Sequence, residues 1–319
     1  MHEFQLINKY LKSLTFKNSP SLNLNDDVFF DKKNHLIISV DTYNEGIHFL
    51  NFKKPELVLK KIFRSSISDL ICKGVLPKFY FLSGSGNKKS FSKKNLLAIS
   101  KSLKQEQKKY NIFLCGGDTT FSNKLSFSVT SVGFAKNIIF RNKAKLNDDI
   151  YVTGNLGDSY IGLQILKNKF TFKKQINNYF INKYYEPDIQ FNLTKSLLKF
   201  ANCSIDISDG LVADLEKMIN SQNYSYKLIE DKIPISKYLS KLIMYRKFKK
   251  TNLISNGDDY QVLFTASPNK SRIINRISAI KGINITKIGK IISGNKKSHI
   301  IDQKGKQILL KDKGYNHIF

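Results

Sequence analysis

The residues of this sequence that could do chemistry are mostly aspartates at the ends of apolar stretches. They are Asp26 and Asp27, Asp41, Asp69, Asp118, Asp206 and Asp209, and Asp258 and Asp259. Most have Gly, Ser, Thr or Asn beside them, as in CGGDTT (115–120), and these residue types let the chain turn and bring backbone amides towards a ligand. We call each such aspartate with its turn-forming neighbours an acidic corner. A single acidic corner is usually a simple turn or a helix N-cap, and Asp158 in NLGDSY is interpreted as an N-cap. The repetition of the pattern favours a shared site for the others.

Carboxylates that converge in one place repel one another and need a cation between them. Oxygen ligands without His or Cys suit Mg²⁺, which keeps part of its water shell and bridges to phosphate oxygens. The net charge of the chain is +28, so a cluster of carboxylates in it is interpreted as a site for several magnesium ions and for phosphate groups.

The common nucleotide-binding motifs are absent from the sequence. It has no GxxxxGK[ST], no GxGxxG that opens a helix, and neither the HRD nor the DFG motif of protein kinases. The nearest approach to a phosphate loop, GSGNKKS at 84–90, has the wrong spacing and is predicted to be a surface loop. Any ATP chemistry therefore belongs to a different fold.

The composition is that of a folded protein long enough for two domains. Of 319 residues, 41% are hydrophobic, and 53 Lys and Arg stand against 25 Asp and Glu. The lysines are spread along the chain without a dense basic block, which disfavours nucleic acid as a partner. Three cysteines form no CxxC pair, no apolar run approaches the roughly 18 residues of a membrane span, and the N-terminus lacks a signal-peptide pattern. We therefore expect a cytoplasmic protein without a membrane partner.

Strand-like and helix-like segments alternate along the chain. Apolar runs typical of strands lie at 35–40, 78–82, 111–115, 125–134, 149–154, 260–266 and 285–292, and helical patterns lie at 55–74, 93–110, 155–168 and 211–220. The alternation predicts an α/β or α+β fold. The polar segment at 141–149 precedes a new strand, so we predict two domains, 1–145 and 146–319.

Ten motifs, taken in order, resemble those of the thiamine-monophosphate kinase family. They are NDD, ISVDT, GIHF, SISDLICKG, CGGDTT, FRNKA, DDIYVTGNLGDS, SIDISDGLVADL, SNGDDYQVLF and the terminal GYNHI, and they cover nearly the whole chain. The family belongs to the ATP-binding superfamily that includes aminoimidazole ribonucleotide synthetase. The resemblance implies an N-terminal α/β domain, whose mixed sheet and helices form a homodimer interface, and a C-terminal α+β domain that closes a cleft. It also implies magnesium-dependent transfer of the γ-phosphoryl group of ATP to thiamine monophosphate, giving thiamine diphosphate and ADP.

The resemblance also assigns site residues by motif position. The implied metal ligands are Asp27, Ser39, the Val40 backbone, Asp41, Asp69, Asp118, Asp206 and Asp209. The implied ATP contacts are Gly117, Asp118, Arg141 and Ser208, and the implied contacts to the thiamine end are His48, Asp258 and Tyr315. No catalytic residue beyond the metal ligands is expected, because a phosphate monoester with a second pKa of about 6 is already largely ionised near neutral pH.

Three positions depart from the family pattern. Asn25 stands where the family has glycine, Asp258 where it has Glu, and Glu186 where it has Arg. With these changes, a weakened activity or a different activity stays an open alternative. One alternative is another enzyme of the superfamily, of the aminoimidazole ribonucleotide synthetase or selenophosphate synthetase type. The latter expects a reactive Cys in a glycine-rich N-terminal segment, whereas the first cysteine here is Cys72. The other alternative, a basic nucleic-acid-binding protein, leaves the acidic corners unexplained.

Overall fold

Two mixed sheets organise the protein, whose computed structural model describes residues 3–246 and 248–315. The strands are β1 (Phe29–Asp31), β2 (Leu36–Asn44), β3 (Pro77–Gly86), β4 (Phe113–Gly116), β5 (Thr119–Phe121), β6 (Ser126–Phe134), β7 (Asp149–Thr153), β8 (Cys203–Asp206), β9 (Tyr224–Ile229), β10 (Val262–Ala266), β11 (Ile285–Ser293), β12 (His299–Ile301) and β13 (Gln307–Ile308). The α-helices are α1 (Glu3–Leu6), α2 (Pro55–Cys72), α3 (Lys93–Tyr110), α4 (Asp158–Leu166), α5 (Lys174–Tyr185), α6 (Thr194–Leu197), α7 (Leu211–Met218), α8 (Lys237–Arg246), α9 (Lys250–Ile254) and α10 (Ser271–Lys281).

The first sheet has the strand order β1-β2-β6-β3-β4, and β5 also pairs with β3. Strands β4 and β5 run parallel to β3, while the other pairs are antiparallel. Because β1 pairs with β2 only at residues 36–38, the described chain leaves residues 39–44 of β2 without a neighbouring strand on that side. This open edge of β2 lines the candidate site.

Helix α2 lies between the two sheets. It begins with Pro55 and ends before Gly74, whose φ of +79° is the left-handed conformation that glycine often adopts after a helix. Its Ile62, Phe63 and Ile67 are buried in the core that includes residues of the first sheet. The helix also contacts β2, β6 and β8, so it joins the first sheet to the second.

The second sheet has the order β13-β12-β9-β11-β7-β10-β8, and only β12 and β9 form a parallel pair in the part of the chain that the structure describes. Strands β7 and β10 are neighbours in this sheet and are buried at every position. All described strands of the first sheet precede residue 145, and those of the second follow it. The division into domains 1–145 and 146–319 stays a prediction.

The predicted mixture of strands and helices is confirmed, and α3 has the predicted limits. Two local predictions were wrong. The proposed surface loop at 84–90 begins with the last residues of β3. The N-cap of α4 is Gly157, while Asp158 is buried and accepts hydrogen bonds of 2.7 Å from the hydroxyls of Tyr179 and Ser236. None of the described helices combines the length and apolar character needed to cross a membrane.

Candidate active site

A cleft of about 620 Å³ lies between the open edge of β2 and the loops that follow β8 and precede β10. Aspartates from both sheets, from α2 and α7 and from the loops line it, together with Glu3 of α1; the aspartates are Asp26, Asp27, Asp41, Asp69, Asp206, Asp209, Asp214 and Asp258. Two of the acidic corners named from the sequence do not line it. Asp259 is buried and accepts a hydrogen bond of 2.8 Å from the backbone of Gly157, and Asp118 lies elsewhere on the first sheet.

Three of these aspartates have no cationic partner in an ion pair within the described chain. They belong to Asp41 on β2, Asp69 on α2 and Asp206 at the end of β8. Burial, with a smaller contribution from the charge of Asp27, raises the pKa of Asp41 and that of Asp206 to about 7. Burial and the charges of Asp41 and Asp206 raise the pKa of Asp69 well above its ordinary value. The fold therefore holds together three acids that favour a cation between them.

These three residues, which we call the central carboxylates, fit a hard divalent cation by their chemistry. Mg²⁺ prefers carboxylate oxygens and retains several water ligands. Among residues 3–246 and 248–315, no three His, Cys, Asp or Glu side chains are already grouped closely enough to hold a metal ion. A bound ion would therefore draw the central carboxylates closer together or reach some of them through water.

The other aspartates of the cleft are paired with buried or half-buried lysines. Asp209 and Asp214 both pair with Lys217 of α7. Asp258 pairs with Lys61 of α2 over 2.8 Å, and Asp26 and Asp27 pair with Lys73. No lysine was predicted at the site from the sequence, although the apolar neighbours of Lys61 in LKKIF and of Lys73 in LICKG indicate that these two side chains are buried.

Arg141 brings a guanidinium group to the cleft. The side chain is buried, and its Nη1 lies 3.5 Å from Asp27 Oδ1. Its Nε has no hydrogen-bond partner among the described residues. A buried donor without an acceptor is costly, so Arg141 is suited to bind an anion that enters the cleft.

The loop before α7 is bound by the carboxylate of Asp214, a residue in the first turn of that helix. Asp214 Oδ2 accepts hydrogen bonds from the backbone N–H groups of Ser208, Asp209 and Gly210 over 3.0, 2.9 and 3.1 Å. Burial raises the pKa of Asp214 to about 6. Asp214 therefore shapes the loop that carries Ser208 and Asp209, a role that the sequence did not reveal.

The three residues expected at the thiamine end all line the same cleft. His48 Nδ1 accepts a hydrogen bond of 3.0 Å from the backbone of Asn44. Asp258 accepts a hydrogen bond of 3.1 Å from the hydroxyl of Tyr260 in addition to its ion pair with Lys61. The backbone N–H of Tyr315 donates to Asp209 O over 2.9 Å, which fixes the end of the described chain beside the loop that carries Asp209. The rest of the GYNHI motif, residues 316–318, lies outside the described residues.

Three of the predicted site residues are not among those lining the cleft. Ser39 is buried and directs its hydroxyl towards Ser66 O at 3.4 Å, although its neighbour Val40 lines the cleft. Gly117 and Asp118 are exposed beside β3. A Cβ at Gly117 would lie 1.8 Å from Leu82 O, so this position requires glycine for packing whether or not it binds ATP.

The departures from the family pattern have local partners. Asn25 donates a hydrogen bond of 2.6 Å to the hydroxyl of Ser221 and accepts one of 2.9 Å from the side-chain amide of Asn220. Glu186 pairs with Arg64 at 3.3 Å and with Lys60 at 3.4 Å, so the acid at this position is compensated by two cations of α2. The changed residues are therefore integrated into the fold.

The raised pKa values of Asp41 and Asp206 predict how stability depends on pH when EDTA keeps the protein free of metal. In the folded chain these carboxyls keep their protons up to about pH 7, whereas in the unfolded chain they lose them near pH 4. The stability that they contribute is thus present below pH 4 and is lost as the pH rises through 7. We expect the Tm in EDTA to fall by on the order of 5 °C between pH 5 and pH 8, since each kcal/mol moves the Tm of a chain this long by about 2 °C.

Thermal unfolding followed by circular dichroism checks this expectation. Saturating Mg²⁺ is expected to raise the Tm more at pH 8 than at pH 5, because the ion binds the ionised form. A Tm that rises from pH 5 to pH 8 in EDTA would show that the carboxylates are stabilised by groups of the chain itself.

Comparison with known proteins gives consistent matches. Residues 25–135 match the family model described as AIR synthase related protein, N-terminal domain. The thiamine-monophosphate kinase of Buchnera aphidicola subsp. Schizaphis graminum is 35% identical, over 99% of this chain and 98% of that protein. A solved structure of AaThiL complexed with AMPPCP and TMP has a TM-score of 0.85 and 28% identity, covering 99% of this chain and 97% of that one. A crystal structure of thiamine monophosphate kinase from Aquifex aeolicus has a TM-score of 0.79 and 27% identity, over 97% and 99% of the two chains.

Proposed function

Because the chain belongs to the thiamine-monophosphate kinase family, we propose that it transfers the γ-phosphoryl group of ATP to thiamine monophosphate, forming thiamine diphosphate and ADP. The observation that carries the proposal is that one cleft contains both the central carboxylates and the residues expected at the thiamine end. A polyanionic donor and an anionic acceptor have to meet in such a reaction, and a cation-binding acidic site beside an acceptor site is suited to that task.

We assign roles to the chain's residues on this basis. The proposed metal ligands are Asp27, Ser39, the Val40 backbone, Asp41, Asp69, Asp118, Asp206 and Asp209, and the proposed ATP contacts are Gly117, Asp118, Arg141 and Ser208. Magnesium bound there would neutralise charge on the phosphate oxygens. The free Nε donor of Arg141 supports its assignment to a phosphate group. His48, Asp258 and Tyr315 would orient the acceptor, whose phosphate is already ionised and needs no general base.

We further propose a homodimer formed through the outer face of the first sheet. Large apolar side chains are exposed on this sheet: Val40, Phe81, Phe113, Phe121 and Phe134. A contiguous apolar surface of this kind is typical of a protein interface. A cytoplasmic location is also a proposal, supported by the free thiols of Cys72, Cys115 and Cys203.

A second copy would also explain the position of Asp118. Strands β6 and β3 separate β2 from β5, so about 14 Å, or three strand spacings, lie between Asp41 and the Asp118 corner. One metal ion does not reach both within a single chain. We propose that the Asp118 acting in each cleft belongs to the other copy of the dimer.

The product assay tests the proposed function. Purified protein with ATP, Mg²⁺ and thiamine monophosphate is expected to form thiamine diphosphate and ADP in equal amounts, measured by chromatography. Thiamine without its phosphate serves as the control acceptor and is expected to give no product, because it lacks the nucleophilic phosphate oxygen. Folded protein that produces no thiamine diphosphate would contradict the assignment.

A further inference from the structure

We propose that the ammonium group of Lys73 takes the place of one divalent cation at Asp26 and Asp27, so that the cleft binds fewer metal ions than its carboxylates suggest. The inference rests on the proposed metal-dependent function. It changes one role assigned above: Asp27 is no longer a metal ligand but forms an ion pair with Lys73.

The geometry of Lys73 is that of a coordinated cation. Its side chain is 0% exposed, and its Nζ lies 2.8 Å from Asp26 Oδ1, 2.6 Å from Asp27 Oδ2 and 2.9 Å from the carbonyl oxygen of Ser204. An ammonium group has three donors, and here three oxygens surround it. Two of these oxygens belong to carboxylates, so the ammonium forms a buried ion pair with each of them and donates a hydrogen bond to the Ser204 carbonyl.

The backbone fixes Lys73 in this position. Its N–H donates to Asp69 O at the end of α2, and its carbonyl accepts a hydrogen bond of 3.0 Å from Ile139. The neighbouring Cys72 carbonyl accepts a hydrogen bond of 2.5 Å from the hydroxyl of Ser204 on β8. The backbone of Cys72 and Lys73 is therefore held by α2, Ile139 and β8, which places the buried ammonium beside Asp26 and Asp27.

The charges around Asp26 and Asp27 are already balanced by side chains. Asp26 Oδ2 accepts the backbone N–H of Arg141 at 2.9 Å, and the Arg141 guanidinium lies 3.5 Å from Asp27 Oδ1. Two carboxylates therefore face two cationic side chains. In the part of the chain that the structure describes, the central carboxylates Asp41, Asp69 and Asp206 have no such ion pair, so they are where divalent ions are needed.

Counting bound Mn²⁺ tests the inference without any phosphoryl transfer. Mn²⁺, which replaces Mg²⁺ and is detected by electron paramagnetic resonance, is titrated into the protein with the non-hydrolysable analogue AMPPCP. The Lys73→Met variant is expected to bind one more Mn²⁺ per chain than the unchanged protein. Its Tm in EDTA is expected to drop and to recover with Mn²⁺, because the uncompensated carboxylates then require the ion.

Lys60→Met is the matched control. This variant also removes one lysine charge, but it breaks only the ion pair with Glu186. It is therefore expected to bind as many Mn²⁺ ions as the unchanged protein, and Mn²⁺ is expected to raise the Tm of both by the same amount. An equal Mn²⁺ count in Lys73→Met and the unchanged protein would overturn the inference.

Asp27→Asn provides a test that does not need the Lys73 variant to fold. Since Asp27 holds Lys73 rather than a metal, this variant is expected to keep the full Mn²⁺ count, and the loss of one ion would also overturn the inference. Both measurements are independent of the acceptor. An inactive protein with the expected counts would therefore reject the proposed reaction and leave the role of Lys73 supported.

Discussion

Replacing Asp69 by Asn is expected to lower turnover by about three orders of magnitude or more and, at the same time, to raise the Tm of the metal-free protein. Both effects have one cause. Asp69 lies among Asp41 and Asp206, and burial together with these two charges raises its pKa well above the ordinary range. Removing the carboxylate removes repulsion from the folded state, but it also removes a ligand that would hold the cation between the two anionic substrates.

The measurements are initial rates with saturating ATP and thiamine monophosphate, and Tm values in EDTA and in Mg²⁺. Asp188→Asn is the control, because Asp188 is an exposed carboxylate outside the cleft and pairs with Lys183. It is expected to change neither quantity by much. Full turnover in Asp69→Asn would remove this residue from the metal site, and a lowered Tm in EDTA would show that its charge is already compensated.

Replacing Asp118 by Asn is expected to lower turnover by about two orders of magnitude or more while the fold stays intact. The side chain is exposed, and its Oδ1 accepts the N–H of Thr119 at 2.8 Å, a bond that the Asn oxygen also makes. The local turn therefore survives. What is lost is the charge that we propose Asp118 contributes to the cleft of the partner copy.

Mixing two inactive variants tests this shared site. If each cleft uses its own Asp69 and the partner's Asp118, a dimer of one Asp69→Asn chain and one Asp118→Asn chain has one intact cleft. Unfolding and refolding an equal mixture is then expected to restore about a quarter of the original activity, because half of the dimers are mixed and half of their sites are intact. If the mixture stays inactive although mixed dimers have formed, Asp118 acts within its own chain or not at all.

Much of the fold could be predicted because its signals are local. Pro55 and Gly74 mark the two ends of α2, and the alternating or continuous apolar runs mark β6 and β10. Strands β8 (CSID) and β9 (YSYKLI) were missed because polar residues interrupt the apolar pattern of each. The acidic corners could also be predicted, because each one is a short sequence pattern: an aspartate that follows an apolar run and has turn-forming residues beside it.

The charge partners inside the cleft could not be predicted in the same way. Lys73 lies 47 residues after Asp26 in the sequence, and Lys61 lies 197 residues before Asp258. The apolar neighbours of each lysine indicate burial, but nothing near either lysine identifies the carboxylate that it pairs with. Glu186 likewise suggested a lost contact, whereas Arg64 and Lys60 of α2 compensate it. Only the packing of α2 between two sheets brings these groups together.

The most direct test of the central claim is a crystal structure with Mn²⁺, AMPPCP and thiamine monophosphate, in which anomalous scattering locates the metal ions. The account predicts anomalous peaks about 2 Å from oxygens of Asp41, Asp69 and Asp206, with phosphate oxygens on the same ions. Peaks bound only by phosphates and water, with the three carboxylates unliganded, would contradict it.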